Sequence, residues 1–184
     1  IKHPDYDEHD GLTVHAIAQA VQRDPWDIFF EIVRSEAFAM PQTMSRANKI
    51  KAMQAPFTSF DTDVGPAGGS EIASHPRGYG SFPGVLALYV RDLGALSLEQ
   101  AVHKLSSAGA NEIMALDRGR LAPGLAADIV VFDATTIRDR ATFAQPGLPS
   151  EGVRLVIVNG EIVLQDGHQT EAKPGRVLRG PGWL

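Results

Sequence analysis

Two aspartates spaced two apart, Asp61 and Asp63, close a short apolar stretch, and the chain's one His-Pro-Arg, His75-Pro76-Arg77, begins twelve residues after Asp63. On an extended segment, residues two apart share a face. Ser59, Asp61 and Asp63 would then line one side, with Phe60 and Thr62 on the other. A carboxylate fixed at a strand end and opened to solvent by a loop suits proton transfer, so the pair supports a general base, with or without a hand in holding a metal. The same spacing also fits a polar strand end at which one carboxylate caps the next turn. Arg77 brings a planar guanidinium that matches a substrate carboxylate bidentately, although a loop arginine is also a common surface residue. His75 fits a ligand, or a packing and hydrogen-bonding neighbour beside Pro76.

Other chemistries find little support. The remaining histidines, His3, His9, His15, His103 and His168, form neither His-x-His nor His-x-x-x-His, and there is no cysteine for a thiolate site or a disulfide. Gly65, Gly68 and Gly69 lack the Gly-Lys-Ser/Thr of a phosphate loop, and no Gly-x-Ser-x-Gly is present. Asp5-Tyr6-Asp7-Glu8 and His9-Asp10 read as a solvated loop better than as a cation site. With 184 residues, 43% of them apolar, the chain can bury one good core, or about one and a half domains. A net charge of −5 without a basic run argues against nucleic acid and anionic membranes, and no window of eighteen apolar residues offers a membrane span. The chain opens at Ile1 with neither an initiator Met nor a signal peptide, so we expect it to be processed or part of something longer.

The elements that must carry these groups follow from apolar spacing. Residues 1–12 read as a polar loop. Val14, Ile17, Ala18 and Val21 define one helix, and Asp24-Pro25 starts a second, with Asp24 as N-cap and Ile28, Phe29, Ile32 and Val33 as its buried stripe. Residues 37–44 fit a strand. Ser45 caps a helix running through Met53, with Ala47, Ile50 and Met53 inward, and Phe57 to Asp61 is a brief strand. Pro83 marks a helix start, with Val85, Leu86, Tyr89 and Val90 on one face. Ser97-Leu98-Glu99-Gln100 is a capping box opening a helix lined by Leu98, Ala101, Val102 and Leu105, and a short helix covers about residues 110–116. Beyond residue 118 the pattern turns to β: Asp128-Ile-Val-Val-Phe-Asp133 is one strand, and residues 153–158, Asn159-Gly160 and 161–164 form a hairpin. Helices alternating with strands predict a parallel sheet or barrel, yet one or two strands cannot close one, so the missing strands are expected upstream of Ile1.

Several stretches together resemble one family. They are Asp24-Pro25-Trp26-Asp27-Ile28-Phe29-Phe30; Ser59-Phe60-Asp61-Thr62-Asp63 with His75-Pro76-Arg77-Gly78-Tyr79-Gly80-Ser81-Phe82-Pro83; and Asp117-Arg118-Gly119-Arg120-Leu121-Ala122-Pro123-Gly124 leading into Ala127-Asp128-Ile129-Val130-Val131-Phe132-Asp133. Val158-Asn159-Gly160 and Pro174-Gly175-Arg176-Val177-Leu178-Arg179 complete the set. The chain is similar over nearly its whole length to the C-terminal part of the N-acyl-D-amino-acid deacylases (D-aminoacylases) of the metal-dependent amidohydrolase superfamily. The Pro-Gly…Ala-Asp-Ile-Val segment is shared across the superfamily, and the Asp…His-Pro-Arg-x-Tyr-Gly-x-Phe spacing is the subfamily's.

The resemblance implies an α/β fold: the last βα units of a (β/α)8 TIM-like barrel over residues 1–116, then the C-terminal strands of a small β-sandwich over 117–184. It implies hydrolysis of the amide of N-acyl-D-amino acids with zinc. The family's ligands (a His-x-His on the first strand, a Cys or bridging acid, later histidines) match no residue here and are expected upstream of Ile1 or on a partner chain. Asp63 aligns with the aspartate that takes a proton from metal-bound water and gives it to the leaving amine, with Asp61 as the fallback. Arg77 aligns with the arginine that holds the substrate α-carboxylate, and His75 and Tyr79 are secondary candidates. The family commonly has Gly or Ser where Asp61 stands, so a second carboxylate would repel Asp63 here. The expected partners are the N-terminal half of the same enzyme and a small N-acyl amino acid, in the cytoplasm, with the chain inactive alone. A D-dipeptidase, a cyclic-amide hydrolase and a non-catalytic half requiring a partner chain remain alternatives.

Overall fold

A computed structural model describes residues 4–9, 11–35, 43–64 and 75–180, which fall into two compact units, Ile1–Ser45 and Arg46–Leu184. In the first, Pro4–His9 forms 3-10 turns kinked at Tyr6 where the sequence predicts a loop. Tyr6 accounts for the difference. Its ring is buried with Ile17, Ala18, Ile28 and Ile32, and its hydroxyl donates to Glu31 Oε2 at 2.5 Å. Arg23 closes the same cluster through Nη1 to Glu31 Oε2 at 3.0 Å.

Helix α1 spans Val14–Val21, where Thr13 accepts the Ala16 N–H, and α2 spans Pro25–Arg34, where Asp24 accepts the Trp26 N–H at 2.8 Å. Both caps satisfy backbone donors that a helix start leaves open. The predicted stripe of α2 is only half right. Ile28 and Ile32 are buried, whereas Phe29 and Val33 are 40% and 58% exposed. Ile28 and Ile32 lie one turn apart on a single row, and that row faces the core the unit possesses. Phe29 instead joins Trp26 and Phe30 in an exposed aromatic cluster with edge-on ring contacts at 5.8 and 5.5 Å. Most of the strand predicted over residues 37–44 lies outside the described residues, as do Gly65, Gly68 and Gly69.

In the second unit, α3 covers Arg46–Gln54, with Ile50 and Met53 half-buried and Ala47 exposed. The strand predicted from Phe57 to Asp61 does not form. The long-range backbone bond of this stretch runs from the Phe60 N–H to the Lys104 carbonyl at a helix end, 3.1 Å away, and not to a neighbouring strand. Helix α4 spans Arg77–Gly84 and runs into π-helical turns over Val85–Asp92. Pro83 therefore sits inside a helix that begins six residues earlier than predicted. The capping box at Ser97 forms in both directions, at 3.2 and 3.0 Å, and opens α5, Leu98–Leu105. Ala101 is buried on it, Leu98 and Val102 are more than a third exposed, and Lys104 is buried in their stead. Helix α6 follows at Ser107–Glu112, a few residues before the predicted position.

Among the described residues strands begin only at Ile129. Strands β1 (Ile129–Phe132), β2 (Val153–Val158), β3 (Glu161–Gln165) and β4 (His168–Gln169) form one antiparallel sheet in that order. Asn159 and Gly160 take positive φ, 48° and 87°, as the predicted two-residue hairpin turn requires. One core serves helices and sheet together: Val85, Leu86, Leu96, Ala101 and Ile137 are buried, with Phe60, Phe132 and Val153 packed against them.

Candidate functional site

The segment that carries the two aspartates is held from below by Lys104. Its side chain is 6% exposed, and its ammonium donates to the Ala55 carbonyl (2.5 Å), the Thr58 carbonyl (2.8 Å) and Thr58 Oγ1 (3.0 Å). All three donors of the ammonium are used, and the carbonyls that follow α3 gain a cation where a helix end favours one. Ser59 Oγ donates to Glu112 Oε2 at 2.8 Å. Asp61 turns inward on its own segment, accepting the Thr62 N–H at 2.6 Å.

Asp63 adopts φ 50°, a left-handed conformation that aspartate tolerates better than most residues. This ends the extended run, so the alternation that would put Ser59, Asp61 and Asp63 on one face does not reach Asp63. The change of direction brings Asp63 Oδ2 to 3.1 Å from Arg77 Nη2. The two candidate residues thus meet. The side chains are 83% and 42% exposed, so the pair is worth no more than about 1 kcal/mol and exchanges readily with solvent or another carboxylate.

Arg77 stands at the first position of α4, and the open N–H groups of that helix are accounted for. The Arg77 N–H donates to His75 Nδ1 at 3.0 Å, Gly78 to the His75 carbonyl at 3.3 Å, and Tyr79 and Gly80 to the Pro76 carbonyl at 3.1 and 3.0 Å. His75 is therefore a capping group with Nδ1 as acceptor. Burial, and to a lesser extent the Arg77 charge, hold its pKa below the ordinary histidine value, which favours the neutral ring that can accept. Tyr79 is 42% exposed, and its carbonyl accepts from Ser150 Oγ at 2.7 Å.

Chemically, the arrangement offers an exposed carboxylate beside a guanidinium: a proton acceptor next to a carboxylate receptor. It does not offer a metal site. Among the described residues no three His, Cys, Asp or Glu side chains converge, so these residues by themselves do not fit a metal ion. Two cavities lie elsewhere, an apolar one of about 290 Å³ between the π-helical turns and Phe132–Ile137, and one of about 370 Å³ at Arg118, Asn159 and Arg176.

The profile of the Amidohydrolase family matches residues 41–164, two thirds of the chain, Asp63 and Arg77 included. This chain belongs to the amidohydrolase family. Within it, the chain is 49% identical over 105 residues to an N-acyl-D-glutamate deacylase of Alcaligenes xylosoxydans xylosoxydans, covering 57% of this chain and 21% of that one. Among solved structures it superposes on a D-aminoacylase with a binuclear metal center at a TM-score of 0.73 and 32% identity, covering 91% of this chain and 34% of that chain. It superposes equally on the Bordetella bronchiseptica N-acyl-D-glutamate deacylase bound to zinc and a phosphonate mimic of the tetrahedral intermediate, at 0.72 and 34%, covering 95% of this chain and 36% of that chain. The amidohydrolase chain thus spans about a fifth of the curated relative and about a third of the solved ones. No helix among its described residues is long and apolar enough to cross a membrane.

Sequence reasoning missed Lys104, although a lysine between Ala101 and Leu105 on the inward stripe of α5 was the available signal. It also missed Asp139 and Ser150, which touch α4, and Phe143, which packs on its cap His75, all from a loop that shows no periodicity.

Proposed function

We propose that this amidohydrolase chain is the C-terminal part of a metal-dependent enzyme that cleaves the amide of N-acyl-D-amino acids to a carboxylate and a D-amino acid. The observation that carries this reading is the Asp63–Arg77 contact at 3.1 Å, in a chain whose relatives are deacylases of substrates bearing a free carboxylate. In this reading Arg77 leaves Asp63 for the substrate α-carboxylate, and the released Asp63 carboxylate holds and returns the proton of the attacking water. His75 would steady Arg77 through the cap it makes on the Arg77 N–H, and Asp61 and Tyr79 are secondary candidates. Zinc, which the Bordetella relative holds, is proposed for the whole enzyme. Its ligands would lie outside the described residues, on the N-terminal half or a partner chain, and this chain alone would be inactive. Residues 1–116 would supply the last βα units of a barrel and 117–184 the strands of a sandwich, in a cytoplasmic enzyme.

The test is a substrate panel on the complete enzyme: N-acetyl-D-glutamate, N-acetyl-D-aspartate and N-acetyl-D-leucine against D-dipeptides and hydantoins. Turnover confined to the N-acyl-D-amino acids supports the reading, and turnover of cyclic amides alone overturns it.

A further inference from the structure

Helix α4 is poorly suited to stand by itself. Its sequence, Arg-Gly-Tyr-Gly-Ser-Phe-Pro-Gly, contains three glycines and a proline, and at about 1 kcal/mol per glycine and about 3 for proline it is several kcal/mol less favourable than an alanine helix. Pro83 also cannot donate to the Tyr79 carbonyl four residues earlier. Something outside the helix must hold it.

That support is the loop between Arg138 and Glu151. It touches α4 and its cap at three points. The Phe143 ring packs edge-on against His75 with centroids 5.3 Å apart and planes at 74°. Ser150 Oγ donates to the Tyr79 carbonyl at 2.7 Å, satisfying the acceptor that Pro83 leaves open. The Asp139 carboxylate lies against Gly80 so closely that a Cβ there would collide with it. The loop is itself well held. Arg138 and Glu151 exchange backbone hydrogen bonds at 3.1 and 3.0 Å, and Arg138 Nε donates to Glu151 Oε2 at 2.6 Å. Asp139 is fixed by the Ala141 N–H at 2.7 Å. Ile137, just before the loop, is buried in the common core, and Gly152, just after it, has φ 86° and leaves no room for a Cβ against Ile137.

We infer that the 139–150 loop is the positioning element of the carboxylate receptor: it builds α4 and aims Arg77, so Asp139, Phe143 and Ser150 govern substrate affinity without touching substrate. This rests on the reading of Arg77 given above. A guanidinium at the first position of a short helix moves with that helix, and a displacement of about 1 Å at a positioning group is enough for about a hundredfold loss in catalytic efficiency.

The experiment uses the complete enzyme with variants Gly80→Ala, Ser150→Ala, the double variant Gly80→Ala/Asp139→Ala, and Arg77→Ala. Two readouts are taken, hydrogen exchange of the amides of residues 77–84 and steady-state kinetics on an N-acyl-D-amino acid. Gly80→Ala is expected to speed exchange in α4 and raise KM on the order of 10- to 100-fold with little change in kcat. The double variant, which removes the colliding carboxylate but also gives up the Asp139 contact, should recover part of both and stop short of the wild type. Ser150→Ala should shift both in the same direction by less, and it serves if Gly80→Ala does not fold. Unchanged exchange in both Gly80→Ala and Ser150→Ala, or faster exchange without a rise in KM, overturns the inference. Arg77→Ala keeps the two questions apart: if it leaves KM unchanged, the reading of Arg77 falls whatever the loop variants do.

Discussion

Replacing Lys104 by methionine keeps most of the buried stem and removes the ammonium. Three hydrogen bonds go with it, at 2.5, 2.8 and 3.0 Å to Ala55 and Thr58. Bonds from a charged donor contribute about 1.5–3 kcal/mol each, giving a gross loss of roughly 5–9 kcal/mol. Against this stands the cost of burying an ammonium, several kcal/mol after relaxation, which the variant no longer bears. Ala55 and Thr58 are half-buried, so water can partly serve their carbonyls. The net loss comes to about 2–4 kcal/mol. In a unit of this size each kcal/mol moves the midpoint by about 2–4 °C, so Tm should fall by roughly 10 °C. Thermal melts and urea unfolding of the wild type and Lys104→Met decide it, with an unchanged m-value required for the comparison. A loss under about 0.5 kcal/mol, the range of ordinary surface substitutions, would refute the claim that this cation holds the segment below Asp63.

Other outcomes are as definite. Asp63→Asn in the complete enzyme should lower kcat by about 10²- to 10⁴-fold with metal content unchanged; if Asp61→Asn is the crippling change and Asp63→Asn the mild one, the proton carrier has been placed two residues off. Because the folded-state pKa of His75 is lowered, the unfolded chain takes up that proton first as pH falls. The stabilising contribution is complete above about pH 6.5 and is lost as pH drops below it. Urea midpoints at pH 7.5 and 5 should therefore differ less in His75→Asn than in the wild type. Gly119 has φ 78°, and a Cβ there would meet Ala110 Cβ at 2.8 Å and Ser107 Cα at 3.0 Å; Gly119→Ala should cost about 1–3 kcal/mol in chemical denaturation.

What the sequence made legible was local. The caps at Asp24 and Ser97 and the Asn159-Gly160 turn are settled by a side chain or φ preference acting within four residues, and each was found where it was read. Helix α4 was not legible, because its glycines and proline speak against a helix and its support comes from residues about sixty to seventy positions later. The β-strand at Phe57–Asp61 was misread for a related reason: its composition fits a strand, but a strand also needs a neighbour, and its hydrogen-bond partner is the end of α5. The shared face read for Ser59, Asp61 and Asp63 fails at the positive φ of Asp63, and it is that change of direction, invisible in the spacing, that sets Asp63 against Arg77. Phe29 and Val33 had the spacing of a buried stripe, but no described residue of their unit covers them.

The Lys104 ties also bear on the order in which this chain assembles. They join residues 46 and 49 positions apart, whereas the β2–β3 hairpin closes through two residues. Hairpins form in microseconds, and closing a longer loop costs entropy that grows with the logarithm of its length. The β2–β3 turn can therefore close while the stretch leading to Asp63 is still unsettled, and a β signal can precede the Lys104 ties. For a newly made chain, intact β structure is no measure of a competent site.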